Sequence, residues 1–164
     1  MAYIPENAKW YLAEIVEQIT VEGDPRYVVH TNIVLIRGDS PEEAYVKAEE
    51  LGTSRQTSYE NLDGKSVTIA YRGLRDLTVI HEELEHGAEL IYSENIETDE
   101  AAIEQYISPK EELGVFAPRK LSQGPNYMSK EVFEKLHEKF PNLNWGDDIE
   151  IEARAARPAF PTEP

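Results

Sequence analysis

Two of the chain's four histidines stand with three glutamates in "HEELEHG", residues 81 to 87. Imidazole and carboxylate are ligands of zinc and other divalent ions, so His81, Glu85 and His86, with Glu82 beside them, are candidates for a metal-dependent hydrolase. That chemistry needs spacing as well as residue type. The His-Glu-x-x-His pattern sets its two imidazoles four residues apart, on one helical face. Here the spacing is five, which on a helix turns the second ring about 140° from the first. His81 with Glu85, or Glu82 with His86, can share a face, but either pair supplies only two ligands. The stretch reads instead as a polar helical turn or loop joining two strands and closed by Gly87. No cofactor is assigned, and the metal-dependent hydrolase stays the outside alternative.

Three further groups carry potential chemistry. His30, in "YVVHTNIVLIR", is a candidate base or partner-contact residue, but no nucleophile with a matching motif accompanies it. Arg72 and Arg75, with Asp76, are placed to grip an anion in "YRGLRDL"; the plainer reading is a surface ion pair beside a strand bend at Gly73. Residues 81 to 112 hold eleven acids against the single Lys110. Within that run Glu97, Asp99, Glu100 and Glu104 are candidate contacts for a basic partner, weighed against an ordinary solvated face. Neither G-x-G-x-x-G nor G-x-x-x-x-G-K occurs, so no phosphate-cradling loop is present.

The elements that must position these residues belong to a chain of 164 residues, 40% hydrophobic, with net charge −16. That length suits one main domain. Clustered Lys and Arg are missing, which argues against direct binding of DNA or RNA. The lack of cysteine removes disulfides, thiolate ligands and cysteine nucleophiles. The first eighteen residues show neither a basic n-region nor an unbroken apolar core, and no apolar run is long enough to span a bilayer. The expectation is a cytoplasmic protein with no membrane contact.

Period-two alternation in "WYLAEIVEQITVE" puts Tyr11, Ala13, Ile15, Ile19 and Val21 on one face, interrupted only by Glu17. "YVVHTNIVLIR" does likewise with Tyr27, Val29, Thr31, Ile33 and Leu35, leaving His30 and Asn32 on the opposite face. "GDPR" between them supplies a turn, predicting a long antiparallel hairpin. A helix over 41–51 follows, with Ser40 as N-cap, Pro41 at its first position, Glu43 in a capping box and Gly52 just past the end. Its apolar stripe is Ala44, Tyr45, Ala48 and Leu51. A second hairpin turns at "NLDGK", and "GAELIYSENI" reads as a further strand. Beyond it come a short helix capped by Thr98, a Gly- and Pro-rich loop, and an amphipathic helix aligning Phe133, Leu136 and Phe140.

"WYLAEIV", "SPEEAYVKAEELG", "YENLDGKSVTIAYRGLRDL" and "LEHGAELIYSE", in that order, resemble a family of small bacterial domains of unknown function. That family is marked by a Trp-Tyr-Leu-Ala strand, a Glu-Glu-Ala-Tyr-x-Lys-Ala helix and a Gly-x-Glu-Leu-Tyr-Ser strand. The resemblance spans about residues 9–97 and implies a fold unit without catalytic residues to carry over.

The expected fold is therefore α+β: a curved antiparallel sheet, β-β-α-β-β-β, with one helix packed on it. Its core is 9–97, with a helical extension at 98–141 on or beside it and an extended, mobile Pro-rich tail at 142–164. One helix cannot cover such long strands, so a homodimer is an expectation. The function is not fixed by these residues. The leading reading is a non-catalytic acidic binding or regulatory protein that engages another protein. An immunity protein, inhibitor or nucleic-acid mimic blocking a basic partner is the alternative.

Overall fold

A computed structural model describes residues 3–117 and 123–142. Two runs of alternating residues pair around the "GDPR" turn as strands β1 (Trp10–Val21) and β2 (Val28–Arg37). Helix α1 (Pro41–Ser54) follows, then β3 (Thr57–Glu60) and β4 (Ser66–Val79). The strands form one curled antiparallel half-barrel in the order β2-β1-β4-β3, with α1 against it. Helices α2 (Glu100–Glu104) and α3 (Lys130–Lys139) come later, with a 3-10 turn at Lys110–Glu112 between them. The α+β class and antiparallel pairing expected from the alternation are both present.

Several elements differ from the sequence expectation. "GAELIYSENI" forms no strand, so among the described residues the sheet has four strands. Leu90, Ile91 and Tyr92 stand in a row without alternation, and a segment with no neighbouring edge gains no ladder bonds. In β2 the parity was legible but the packed face was not. Val28, His30, Asn32, Val34 and Ile36 face inward, while Val29 and Ile33 are 61% and 63% exposed.

Helix α1 runs one turn beyond Leu51. Gly52 lies buried inside it, because a Cβ there would sit 2.4 Å from Cε2 of Tyr71. Tyr45 is exposed, and Gly52 takes its place in the buried stripe with Ala44 and Ala48. The cap of α2 is Asp99 rather than Thr98, its side chain accepting from Ala101 N–H. At the start of α1, Ser40 Oγ accepts from Glu43 N–H at 3.1 Å while Glu43 Oε2 accepts from Asp39 N–H at 2.8 Å. The capping residues thus act as their types dictate.

The inner face of the sheet holds two apolar clusters. Tyr11, Ala13, Ile15, Ile36 and Val79 pack under Ala44 and Ala48 of α1. At the other end Ile19, Val21 and Val67 are covered with help from Tyr59 and Tyr127. The second cover is carried by residues 123–129, which dock through polar contacts. Arg26 donates to the Gln123 carbonyl at 3.0 Å, Asn61 Nδ2 to the Asn126 carbonyl at 2.8 Å, and the Tyr59 hydroxyl to the Tyr127 carbonyl. Of the expected terminal tail, residues 143–164 lie outside the described residues.

Arg26 is itself fixed by Asp24, whose Oδ2 lies 2.7 Å from Nη2. The hydrogen bonds from Arg26 hold the Asp24 carboxyl down at about 2, against 3.8 when unperturbed. A carboxyl that titrates lower in the folded than in the unfolded chain stabilises the fold above the unfolded value and stops doing so as pH falls toward 2. A carboxyl carbon-13 NMR titration should therefore give Asp24 a midpoint of about 2. In Arg26→Gln that midpoint should return toward 3.8.

Candidate functional site

His81 to Gly87 form an exposed loop after β4. His81 stacks on Tyr3 with ring centroids 6.3 Å apart. Glu82 Oε2 accepts from Glu89 N–H at 2.9 Å, and Gly87 takes φ +92°. His81 and Glu82 line a cleft of about 290 Å³ with Lys9 and Trp10, whereas Glu85 and His86 do not reach it. Among the described residues no three His, Asp or Glu side chains converge on a point that could hold a metal ion. The acidic side chain that the metal pattern would make a base thus closes the loop on itself.

Arg72 and Arg75 have a shared local cause. In the β1–β4 ladder Glu17 opposes Tyr71 while Val16 opposes Gly73, and Ile15 opposes Leu74 while Glu14 opposes Asp76. Each arginine is therefore the extra residue of a β-bulge, with Gly73 between them at φ +134°. Arg75 Nε lies 3.1 Å from Glu14 Oε2, so this arginine is engaged in an ion pair. Arg72 is exposed and has no ion-pair partner among the described residues. The signal for the bulges was the mid-strand glycine.

The inner face carries a polar row that the sequence reading did not assemble. His30, Glu17 and Tyr71 are register partners across β2, β1 and β4. Glu17 is only 7% exposed and stands between the two apolar clusters. Asn32 Nδ2 donates to Glu17 Oε2 at 2.8 Å, meeting the need of a buried carboxylate for a hydrogen-bond partner. The Tyr71 hydroxyl donates to Glu49 Oε1 at 2.7 Å; burial first, then that carboxylate, pushes the phenol well above its usual value. The His30 ring meets Tyr127 edge-on at 5.4 Å. The row thus offers a carboxylate acceptor beside an imidazole. Its sequence signal was Glu17, the one acid on an otherwise apolar face.

The order of strand, strand, helix, strand and strand carrying these groups fills residues 10–79. The family model of a domain of unknown function, DUF4288, matches residues 10–93. The chain belongs to the DUF4288 family. Its matched region takes in the polar row, both bulges and the 81–87 loop, while the Tyr127 cover lies beyond it. No curated protein and no solved structure matches the chain. The DUF4288 match extends past β4 through Ser93, so the unpaired segment after Gly87 falls mostly within the family's limits.

Of the four acids expected to meet a partner, two have local work. Glu97 accepts from the Tyr106 hydroxyl at 2.5 Å, and Asp99 caps α2. Glu100 and Glu104 are exposed on α2. The same stretch exposes Leu90, Ile91, Tyr92, Ile96, Tyr106 and Ile107. Among the described residues no helix is long and apolar enough to cross a membrane.

Proposed function

We propose that this DUF4288 protein is a non-catalytic binding protein whose segment 81–117 engages a basic partner protein. The observation that carries this reading is the mixture along that stretch. Eleven acids between residues 81 and 112 alternate with exposed Ile91, Tyr92, Ile96, Tyr106 and Ile107. Solubility alone accounts for the acids but not for so many apolar side chains in water among them. Acids steer a positive surface to the site and the apolar groups hold it after contact. Inhibition of that partner is the narrower form of the same role.

The test compares two sets of charge removals that spare acids with local bonds. Glu94, Glu100, Glu104 and Glu111 changed together to Gln should slow association with a partner captured from the host by about tenfold at low salt. Glu42, Glu50, Glu60 and Glu138 changed together should slow it much less. Raising salt from 0.01 M to 0.15 M shortens the Debye length from about 30 Å to about 8 Å and should erase most of the difference. Equal effects of the two sets in stopped-flow association would reduce the segment to generic charge.

A further inference from the structure

The two edges of the sheet are unequal. β3 has four residues and lies beside the start of α3, where Asn61 bridges Ser129. β2 has ten residues in unbroken register with β1, and it contains no proline, no lysine and no bulge. Charged, kinked or shortened edges are the usual means of keeping edge strands from pairing, and of these β2 carries only the charge of Arg37 at its last position. Among the described residues its backbone bonds only to β1, except that the Arg37 carbonyl accepts from Lys47. Its outward side chains Val29, Ile33 and Leu35 are exposed.

We propose that the free edge of β2 pairs with β2 of a second copy of this chain, antiparallel about a two-fold axis perpendicular to the sheet, making one eight-stranded sheet. Between two copies, charge confines the contact to this edge. Two chains of net charge −16 repel over most of their surfaces, and among the described strands β2 alone has neither Asp nor Glu. That symmetry sets odd-numbered residues opposite odd-numbered ones, so the apolar outward set of one strand meets the same set of the other. Odd-to-odd pairing brings at most nine of the ten residues into the ladder, which at about 3.4 Å each is about 31 Å long. The segment 81–117 lies on other residues, so this contact and the basic partner are independent.

Sedimentation equilibrium on the full chain should give twice the 18.7 kDa of one chain at micromolar concentrations. Added salt should tighten this dimer by screening the net repulsion, opposite to its effect on a basic partner. Val29→Glu with Ile33→Glu should weaken it by at least about tenfold, since four carboxylates would then crowd one face of the ladder. Both side chains are exposed in the single chain, and an unchanged thermal midpoint extrapolated to low concentration would show that the fold is kept. Tyr45→Glu with Val46→Glu, exposed on α1, adds the same charge and should leave the dimer intact. A monomer at all concentrations up to about 100 µM would overturn the proposal, as would a dimer that survives the β2 changes or is lost equally in the α1 control.

Discussion

Asn61→Ala is expected to destabilise the chain by about 3 kcal/mol, a fall of roughly 6–12 °C in thermal midpoint for a chain of this size. The side chain is fully buried. Its Oδ1 accepts from Asp63 N–H at 3.0 Å and Lys65 N–H at 2.9 Å, and its Nδ2 donates to the Asn126 carbonyl. Alanine would remove at once the acceptor of two turn amides and a donor to the Asn126 carbonyl. Asn61→Asp separates the two duties, because it keeps the acceptors for the turn but faces a carboxylate to the Asn126 carbonyl. Hydrogen exchange should then speed up around Tyr127 in both variants, and around Asp63 and Lys65 in Asn61→Ala alone. Unchanged protection at Tyr127 would mean that the dock does not depend on this residue.

Gly52→Ala sets two effects of opposite sign against each other. In a helix interior alanine gains about 1 kcal/mol over glycine. The new Cβ would lie 2.4, 2.6 and 2.8 Å from three ring carbons of Tyr71. The ring cannot swing aside freely, because its hydroxyl is held by Glu49 and the ring packs on the Ile15 cluster. Overpacking of this kind, with loss of the hydroxyl bond, costs about 3 kcal/mol. The clash wins, and denaturant melts should show a net loss of about 2 kcal/mol. In the background Tyr71→Ala the same substitution should become neutral or favourable, a coupling read directly from the double-mutant cycle. Additive effects in the cycle would mean that Gly52 is needed for some other reason.

These two sites also mark where the sequence was legible. Ser40, Pro41 and Glu43 announce the start of α1 because a cap acts on amides a few residues away. Gly52 reads as a stop by the same local logic, yet its role is set by a tyrosine nineteen positions later on another element. The alternation of β1 and β2 fixed which residues share a face. It did not say which face of β2 would be covered, since Val29 and Ile33 are as apolar as Val34 and Ile36. "GAELIYSENI" illustrates the same limit: strand formation needs a partner edge, and none is written in its own residues. The polar row was half visible. Glu17 stood out against its apolar neighbours, and His30 and Asn32 were placed on one face, but register brought them together. The stretch 81–87 was read as a helical turn or loop joining two strands; it is a loop, and Gly87 bears the positive φ expected of a closing residue, but no strand forms on its far side.

The dock of residues 123–129 carries a kinetic consequence. Its hydrogen bonds join positions 65, 68 and 97 apart in the chain, whereas the β1–β2 hairpin closes around a turn of a few residues. Loop-closure entropy makes such distant contacts slow to form relative to local ones. Hairpin, α1 and the β3–β4 turn therefore assemble first, and the end of the sheet around Ile19, Val21 and Val67 stays wet until a late arrival seals it. During that interval the nascent molecule presents an uncovered apolar surface, and the time to closure, more than the final stability, sets how long it is exposed to aggregation.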